Sequence, residues 1–283
     1  MFLFQKNYQR QFEGKVAIIT GAASGMGRCL SIILAHYGCR VGVVDIDKIG
    51  ADKTAALITD KGYDAFSHEL NVTSYEAVND VINKTISRWG RLDYYINNAG
   101  IGISAEMQDI SIDQWRKVID VNLIGVINGT SIAYGLMLKQ GFGHIVNIAS
   151  MAGFAPFPVN IPYTASKFGV VGLTKSLQAE AAIHGIKVSL VCPGVIKTNF
   201  YRDIIVINVD REEYTGKLPS YLLTPEQAAR KVVKGIATGK KFIVFPFHAR
   251  LLYQLYRFAP NLFMFLMKII VLQFRKLKNI NIL

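Results

Sequence analysis

Short apolar segments alternate with longer amphipathic ones along most of the chain. The short segments are rich in β-branched residues, which is typical of buried strands. They predict strands at Lys15–Thr20, Arg40–Val44, Asp64–Leu70, Leu92–Asn97, Gly143–Ala149, Ile186–Cys192 and Phe242–Phe245. The longer segments predict helices at Arg28–Tyr37, Ile46–Lys61, Ser74–Trp89, Ser111–Lys139, Pro162–His184 and Thr224–Thr238. Strands separated by helices of this length indicate an α/β fold, a doubly wound parallel sheet between two helical layers.

Local signals mark the start of two helices. Thr73 is placed to cap the helix that begins at Ser74, and Thr224 to cap the last one, with Pro225 at its first position. The segment Asn199–Leu223, by contrast, has no strong period. Its apolar residues either form the roof of a pocket or pack as core; they are Phe200, Tyr201, Ile204, Ile205, Val206 and Ile207.

A glycine-rich turn follows the first predicted strand. Gly21, Gly25 and Gly27 allow the backbone to turn tightly and to approach a ligand closely. The helix behind them offers free N–H groups and the positive end of its dipole, which suit a pyrophosphate. The spacing is G-x-x-x-G-x-G instead of the commoner G-x-G-x-x-G. The mechanics of a dinucleotide site therefore apply although that particular motif does not.

Asp45 ends the second predicted strand, eighteen residues past Gly27. This separation is close to the roughly 20 residues expected for an acid that binds the adenosine ribose. A carboxylate there accepts hydrogen bonds from the ribose hydroxyls and repels a 2′-phosphate, which predicts a preference for NAD(H) over NADP(H). The alternative is that Asp45 only caps the following helix, a role that Asp47 is also placed to fill.

Tyr163 and Lys167 are four residues apart in a predicted helix, and Ser150 lies thirteen residues before the tyrosine. Residues four apart share a helix face. We therefore expect Lys167 to favour the phenolate of Tyr163 and to lower its pKa from the usual value of about 10. The tyrosine would then donate or accept a proton nearer neutral pH, and the serine hydroxyl would hold a substrate oxygen.

Taken together, these motifs resemble the classical short-chain dehydrogenase/reductase family. The resemblance runs from about Gly14 to about Pro246, in the family's order. The matching residues are the Thr20–Gly27 glycine motif, Asn97-Asn98-Ala99-Gly100, Asn122, Ser150, Tyr163, Lys167, Pro193-Gly194 and Thr198. Asn71-Val72-Thr73 stands where the family more often has Asp-Val-Thr, and an amide there can still meet an adenine edge.

The resemblance implies a Rossmann-type fold and a role for each matching residue. Tyr163 is the general acid/base, Lys167 also binds the nicotinamide ribose, Ser150 orients the substrate oxygen, and Asn122 holds a water in a proton relay to Lys167. A homodimer or homotetramer is expected. The residues expected to contact NAD are Gly21, Ser24, Gly25, Met26, Gly27, Asp45, Asn71, Val72, Asn98, Ala99, Gly100, Tyr163, Lys167, Pro193, Gly194, Ile196 and Thr198.

The composition fits a single cytoplasmic domain. A chain of 283 residues can bury one large α/β core. Cys29, Cys39 and Cys192 form neither a CxxC motif nor an even framework, which indicates a reducing compartment. The five histidines lack metal-ligand spacing, so no metal is expected. The apolar run at Met1–Lys6 is too short for a secretory signal.

The last segment, Pro246–Leu283, is apolar and basic. It has no Asp or Glu, but six basic residues that make up half of the net charge of +12: Arg250, Arg257, Lys268, Arg275, Lys276 and Lys278. Its longest apolar run, Leu262–Leu272, contains Lys268 and falls short of the roughly 20 residues that span a bilayer. We interpret the segment as a peripheral attachment to an anionic membrane surface. The alternative is packing on a neighbouring subunit or over the substrate mouth. Nucleic-acid binding is not expected, because the charge accompanies no nucleic-acid module.

The sequence therefore predicts three parts: an N-terminal extension at 1–13, a dehydrogenase domain at 14–246 with a substrate loop at about 195–223, and a tail at 247–283. The predicted reaction interconverts a secondary alcohol and a ketone, or an aldehyde and a primary alcohol. The apolar loop and tail favour a hydrophobic substrate, such as a lipid, steroid, retinoid or fatty-acyl derivative. Two alternatives stay open. One is a soluble 3-oxoacyl-carrier-protein-type reductase, which the tail and Asp45 disfavour. The other is a non-catalytic NAD-binding scaffold, which should carry a broken catalytic set.

Overall fold

A computed structural model describes residues 10–197, 204–216 and 222–278 of the chain. Its strands are β1 (Val16–Thr20), β2 (Arg40–Asp45), β3 (Ala65–Glu69), β4 (Tyr94–Asn97), β5 (Ile103–Ser104), β6 (His144–Ile148), β7 (Lys187–Pro193), β8 (Ile205–Val206) and β9 (Phe242–Phe245). Its helices are α1 (Gly25–His36), α2 (Lys48–Thr59), α3 (Tyr75–Trp89), α4 (Ile112–Ile119), α5 (Gly125–Gln140), α6 (Ile161–Ala182), α7 (Arg211–Gly216), α8 (Pro225–Ala237), α9 (Phe247–Phe258) and α10 (Pro260–Lys276). Thr198, Phe200 and Tyr201 lie outside the described residues.

The main sheet confirms the predicted doubly wound fold. Seven parallel strands lie in the order β3-β2-β1-β4-β6-β7-β9. The chain moves outwards from β1 in one direction as far as β3 and then returns to continue on the other side from β4. Ligands of open α/β sheets bind outside the carboxyl ends of the strands at such a reversal. The expected dinucleotide site therefore lies between the ends of β1 and β4.

Alternate residues of each central strand enter the two halves of the core. Ala17 and Ile19 of β1 face a cluster formed with α1, α2 and α8, whereas Val16 and Ile18 face a cluster formed with α3, α5 and α6. All four side chains are fully buried. This continuous apolar run is what a strand covered on both faces requires. Phe12, ahead of β1, is also fully buried, against the rings of Tyr37 and Tyr94.

The segment predicted as one long helix, Ser111–Lys139, has three parts. Residues Asp120–Ile124 form a π-helical turn between α4 and α5. Such turns insert an extra residue into a helix and are frequent at functional sites. Within the described residues, 112–140 is also the one helical segment long and apolar enough to cross a membrane. Its α5 part packs on β4 and β6 and has Ala133 and Met137 in the core, so it forms a layer of this fold.

The predicted helix starts lie within two residues of the observed ones except after the glycine turn, and one predicted cap is wrong. Ser74, and not Thr73, caps α3, because its hydroxyl accepts the N–H of Ala77 at 3.1 Å. The helix after the glycine turn begins at Gly25 and not at Arg28, so two of the turn's glycines lie in its first turn. The predicted cap of α8 is confirmed, since Thr224 forms a capping box with Gln227.

The tail forms a hairpin of two helices, α9 and α10, which packs back on the domain. The first helix ends at Phe258, and the second begins at Pro260. Phe263, Met267 and Phe274 of α10 are buried. Phe263 packs edge-on against Phe157 at a centroid distance of 6.2 Å, in the segment that joins Ser150 to α6. One face of the tail therefore packs on the protein's own domain, beside the segment that joins Ser150 to α6.

Ion pairs hold the far end of α10 to the loop after β5. Glu106 accepts Arg275 Nη2 at 2.7 Å and Lys278 Nζ at 2.6 Å, and Asp109 also accepts Lys278 Nζ at 2.6 Å. The Glu106 side chain is only 9% exposed. Lys278, followed by Arg275, holds the pKa of Glu106 below its usual range. A charge buried with two partners costs stability when one of them is lost, so this contact fixes the position of the hairpin.

We expect Phe263→Ala to loosen the hairpin, because Phe263 is fully buried and its loss leaves a cavity. Such truncations cost about 3–5 kcal/mol of stability. Thermal denaturation and limited proteolysis of the tail measure the effect. The matched control is Phe265→Ala, two positions on and 61% exposed, which should change neither. Equal effects of the two substitutions would contradict the packing described here.

Candidate active site

The glycine turn forms a cradle that no larger residue would fit. Gly21 has φ +65°, and a Cβ there would lie 2.8 Å from Ala99 Cα. A Cβ on Gly27 would lie 2.1 Å from Gly21 O and 2.6 Å from Asn98 Nδ2. Distances below 3.0 Å are not compatible with a side chain. Backbone therefore approaches backbone here, as a dinucleotide-binding turn requires.

The start of α1 is suited to an anion. Ser24 is its N-cap but makes no side-chain capping hydrogen bond, so it leaves the first-turn N–H groups to a ligand. Met26 lies in the same turn and packs on the core beneath. The N-terminus of a helix carries partial positive charge, which stabilises a pyrophosphate. The residues present therefore fit the dinucleotide that the sequence implies.

Asp45 faces the glycine turn at the end of β2. One carboxylate oxygen accepts the N–H of Ala23 at 2.9 Å, and the other accepts the N–H of Asp47 at 3.0 Å. The cap of α2 is Asp47, whose side chain accepts the N–H of Gly50 at 2.9 Å. The alternative reading of Asp45 as that cap is therefore wrong. Its position beside the turn suits contact with a ribose.

The two arginines near Asp45 in sequence occupy different places. Arg28 lies beside the turn: its Nη2 donates to Ala23 O, and its Nε donates to Thr54 Oγ1 at 3.0 Å. Arg40 begins β2 at the amino end of the strand, the opposite edge of the sheet, and is exposed. Of the pair, only Arg28 is placed to meet a group bound next to Asp45.

Asn98 and Ala99 tie the end of β4 to the end of β1. Their backbone N–H groups donate to Thr20 Oγ1 at 3.0 Å each. The Asn98 side-chain amide donates to Thr20 O at 2.9 Å and to Gly21 O at 3.1 Å. The asparagine that the sequence assigned to cofactor contact is thus also a structural clamp of the glycine turn.

Ser150, Tyr163 and Lys167 come together although Ser150 precedes α6 and the other two lie on it. The Ser150 side chain is hydrogen-bonded to Tyr163 and also accepts the N–H of Ala152 at 3.1 Å. Lys167 Nζ lies 5.5 Å from the centroid of the Tyr163 ring, and it donates to Ile148 O at 2.9 Å. A hydroxyl pair beside an amine can hold a carbonyl oxygen and move a proton to it.

Burial, and not the lysine, sets the pKa of the tyrosine in this structure. Burial raises the pKa of Tyr163 to about 12, and the hydrogen bond from Ser150 offsets only part of this rise. Burial also lowers the pKa of Lys167 to about 8. The expected lowering of the tyrosine pKa is therefore wrong for the protein as described. The physical reason is that burial disfavours the charged phenolate, and this effect outweighs the hydrogen bond from Ser150.

Asn122 sits in the π-helical turn and is fully buried. Its amide exchanges two hydrogen bonds with the backbone of Ile101, at 2.8 and 2.9 Å, and donates to Ser166 Oγ at 3.2 Å. A Cβ on Gly100 would lie 3.2 Å from Asn122 Oδ1 and 3.7 Å from Lys167 Nζ. Gly100 thus lies beside both groups, and its small size leaves the space next to the lysine open.

The remaining predicted contacts follow the carboxyl ends of β3 and β7. Asn71 forms an exposed turn with Thr73, and Val72 is buried against Gly125. Gly194, after Pro193 at the end of β7, donates its N–H to Phe245 O at 2.7 Å. Ile196 pairs with Leu223 in an isolated bridge and is buried. Thr198 lies outside the described residues.

Sequence reasoning missed a polar cluster between the short strands and the substrate loop. Buried Ser104 donates toward Asn160 Oδ1 at 2.9 Å and contacts the hydroxyl of Tyr214 at 3.1 Å. Next to Asn160, Val159 has φ +56°, which is strained for a β-branched residue and costs about 1–3 kcal/mol. A serine amid apolar residues was the available signal, but its partners are distant in sequence.

A family model described as short chain dehydrogenase matches residues 15–205. The chain is 34% identical over 244 residues to a putative oxidoreductase, SadH, of Mycobacterium tuberculosis, covering 84% of this chain and 88% of that protein. It is 34% identical over 247 residues to cyclohexanol dehydrogenase of Acinetobacter sp. (strain SE19), covering 85% and 97%. It is 38% identical over 188 residues to the 3-oxoacyl-[acyl-carrier-protein] reductase FabG of Thermotoga maritima, covering 66% and 76%.

A solved structure shares the fold closely. It is a short chain dehydrogenase/reductase from Burkholderia phymatum in complex with NAD. It superposes with a TM-score of 0.83 at 26% identity, covering 89% of this chain and 96% of that one. The two proteins therefore share a fold, and the likeness supports a nicotinamide cofactor for this chain.

We expect Gly27→Ala to weaken NAD binding by about tenfold or more, since a strain of about 1.4 kcal/mol in the turn is enough. The added Cβ would collide with Gly21 O at 2.1 Å. Calorimetric titration with NAD measures the loss. Gly172→Ala is the matched control, because a Cβ at that helical site meets nothing within 4 Å. Unchanged NAD affinity of Gly27→Ala would show that the cradle is not the binding site.

Proposed function

This chain belongs to the short-chain dehydrogenase/reductase family, and we propose that it interconverts a secondary alcohol and a ketone on a hydrophobic substrate with NAD(H). The family acts on CH–OH groups, so the chain is an oxidoreductase of that class. The observation that carries the proposal is the joint presence of Ser150, Tyr163 and Lys167 at one crevice, with the glycine cradle beside them.

Each residue of the set has a proposed task. Ser150 holds the substrate oxygen through its hydroxyl, which already contacts Tyr163. Tyr163 gives its proton to that oxygen in reduction and takes it back in oxidation. Lys167, with a pKa of about 8, exchanges a proton close to physiological pH and can reprotonate the Tyr163 phenolate. Asn122 braces the backbone at Ile101, next to the space beside Lys167 where a relay water would sit.

The cofactor chemistry itself is not the protein's. When bound, the nicotinamide supplies or accepts the hydride, and its oxidised form adds a positive charge that favours the phenolate. The glycine cradle and the start of α1 would hold the pyrophosphate, and Asp45 the adenosine ribose. The crevice between β1 and β4 would then align the nicotinamide end with Tyr163. Lys167 would bind the second ribose.

The preference for NAD over NADP is part of the proposal and rests on Asp45. Its carboxylate lies at the glycine turn, where a 2′-phosphate would be repelled. Arg28 is the opposing feature, because its guanidinium reaches the same turn through Ala23 O. The arginine already shares its donors with Ala23 and Thr54, so it is less available to a phosphate than Asp45 is to a ribose.

A hydrophobic substrate is supported by the apolar surroundings of the site. Ile103, Ala105, Ile110 and Val118 form a buried cluster, and Tyr163 and Ile205 pack against it. The match to cyclohexanol dehydrogenase agrees with such a substrate.

The match to FabG keeps acyl-carrier-protein-linked 3-oxoacyl substrates as a second candidate. The basic tail and Asp45 argue against it. The intact catalytic set argues against a non-catalytic scaffold.

We also propose a cytoplasmic homodimer or homotetramer. Ile124 and Ile127, next to each other around the start of α5, are each 38% exposed, and Phe168 of α6 is 40% exposed. Such apolar side chains on adjacent helices are suited to a subunit interface.

The tail, 247–283, would attach the assembly to the cytoplasmic face of a membrane. The domain limits, with a substrate loop at about 195–223, remain a proposal as well.

Tyr163→Phe keeps the ring and removes the proton that must move. We expect turnover to fall by roughly 10²–10⁴-fold, the usual share of general acid/base catalysis. The measurement is NADH absorbance with NAD⁺ and a panel of hydrophobic alcohols, on which the wild type first identifies a substrate. NAD binding should survive. Tyr75→Phe, at a tyrosine that is 51% exposed, is the control. Near wild-type turnover by Tyr163→Phe would make the mechanism wrong.

Asp45→Ala should shift cofactor choice toward NADP(H). We expect the ratio of kcat/KM for NAD over NADP to favour NAD in the wild type. It should fall by about tenfold in the variant, the effect of roughly 1.4 kcal/mol of lost charge repulsion. Arg28→Ala should raise the ratio above that of the wild type. Arg40→Ala, at the amino ends of the strands, should leave the ratio unchanged. A wild-type preference for NADPH would sink the assignment and implicate Arg28.

A further inference from the structure

Helix α10 carries two opposite apolar faces, of which only one is covered. Phe263, Met267 and Phe274 pack inward and are at most 5% exposed. The residues of the other face are spaced as i, i+3, i+7 and i+10 and form a second apolar stripe. It consists of Leu262, Phe265, Ile269 and Leu272, which are 52%, 61%, 39% and 57% exposed.

Helix α9 exposes three further large apolar side chains. Phe247, Leu251 and Phe258 are 77%, 60% and 77% exposed. Single apolar residues on a surface are ordinary, but the hairpin exposes nine large ones, the seven named above together with Met264 and Leu266, and such a number marks an interaction site. We call these seven residues, Phe247, Leu251, Phe258, Leu262, Phe265, Ile269 and Leu272, the outer face.

The charged residues of the tail itself are all basic. Residues 246–283 contain six Lys or Arg and no Asp or Glu. Among the described residues, Arg275 and Lys278 form ion pairs with Glu106 and Asp109. Within the same described residues, the other four basic residues form no ion pair: Arg250, Arg257, Lys268 and Lys276. Arg250 donates to Val244 O, and Arg257 donates to the Tyr253 hydroxyl. Their charge complements an anionic partner.

The hairpin is held firmly beside the substrate region. Its inner face packs on Phe157, between Ser150 and Tyr163 in the chain. Its end is fixed to Glu106 and Asp109, just after β5, and Phe274 packs edge-on against Tyr214 at 5.6 Å. An object bound to the outer face would therefore be separated from these elements by the thickness of one helix, about 10 Å.

We propose that the outer face docks on an anionic lipid bilayer, so that the enzyme takes a membrane-dissolved alcohol or ketone directly from the lipid. This inference rests on the proposed function and adds to it the residues that meet the membrane and the route of the substrate. Apolar side chains enter the acyl boundary while the basic residues meet anionic headgroups. The hairpin does not span the bilayer, because α10 has 17 residues and its inner face is occupied by protein.

A second copy of this chain fits the outer face less well. A two-fold contact would place the same surface on both partners, so unpaired cations would face unpaired cations. Like charges brought together at an interface are unfavourable, and residues 246–283 offer no acid to relieve them. A bilayer with acidic headgroups supplies that missing negative charge.

The test is co-sedimentation with vesicles of mixed phosphatidylserine and phosphatidylcholine. The full-length triple variant Phe265→Ser, Ile269→Ser, Leu272→Ser changes only exposed residues and should remain folded. We expect the wild type to bind, with partial release at high salt, and the variant to lose about tenfold or more in affinity. The matched control, Leu57→Ser, Leu138→Ser and Ile183→Ser, removes three exposed apolar residues elsewhere and should bind like the wild type.

Two further readouts separate the possible failures. With a short, water-soluble alcohol the outer-face variant should turn over like the wild type, whereas with a vesicle-dissolved alcohol it should be slower. Wild type that stays in the supernatant at low salt would overturn the proposal, as would equal binding by the variant. Light scattering that shows a smaller oligomer for the variant, without vesicle binding by either form, would assign the face to a second copy. An inactive wild type that still binds vesicles would instead defeat the proposed reaction.

Discussion

The site depends on one contact, the hydrogen bonding of Thr20 at the point where the sheet changes direction. Its hydroxyl accepts the N–H groups of Asn98 and Ala99 at 3.0 Å each, and donates to Ile96 O at 3.4 Å. The ends of β1 and β4 are thereby held at a fixed separation. Gly21 and Gly27 must be glycines because of this closeness, since a Cβ on either would collide with the neighbouring backbone. The glycine turn and the end of β4, which leads to Gly100 beside Lys167, thus form one structure.

Burial then determines the chemistry that the crevice can perform. Tyr163 and Lys167 have similar pKa values in water, about 10 and 10.4. In the protein, desolvation moves them apart, to about 12 and about 8, because it disfavours the charged form of each. The result is a phenol that keeps its proton and an amine that exchanges one near neutral pH. Two groups whose surroundings separate their pKa values in this way are suited to opposite roles in proton transfer.

The tail joins these elements to the outside of the molecule. Its inner face supplies Phe263 and Met267 to a small cluster with Ala155. Its last basic residues neutralise Glu106 and Asp109, acids that would otherwise stand poorly solvated in the loop after β5. Structural and surface charges are therefore distinct within one segment: Arg275 and Lys278 hold the hairpin, and the remaining basic residues face outward. The same segment can serve the domain and a partner at once because a helix has two sides.

The sequence determined the order of strands and helices along the chain, the glycine turn and the placing of Tyr163 and Lys167 on one helix face. These are local patterns: strand and helix periods, glycines at fixed spacing, and Tyr163 with Lys167 one helical turn apart. Tertiary structure decided what depends on neighbours distant in the chain. The π-helical turn at Asn122, the pKa of Tyr163 and the partners of Ser104 leave no mark in a local pattern. The tail shows the division most clearly. Its apolar and basic composition was legible in the sequence. Which of its residues face inward follows from Tyr214, Phe157 and Glu106, which lie 60, 106 and 169 residues before their partners Phe274, Phe263 and Arg275 and are brought near only by the fold.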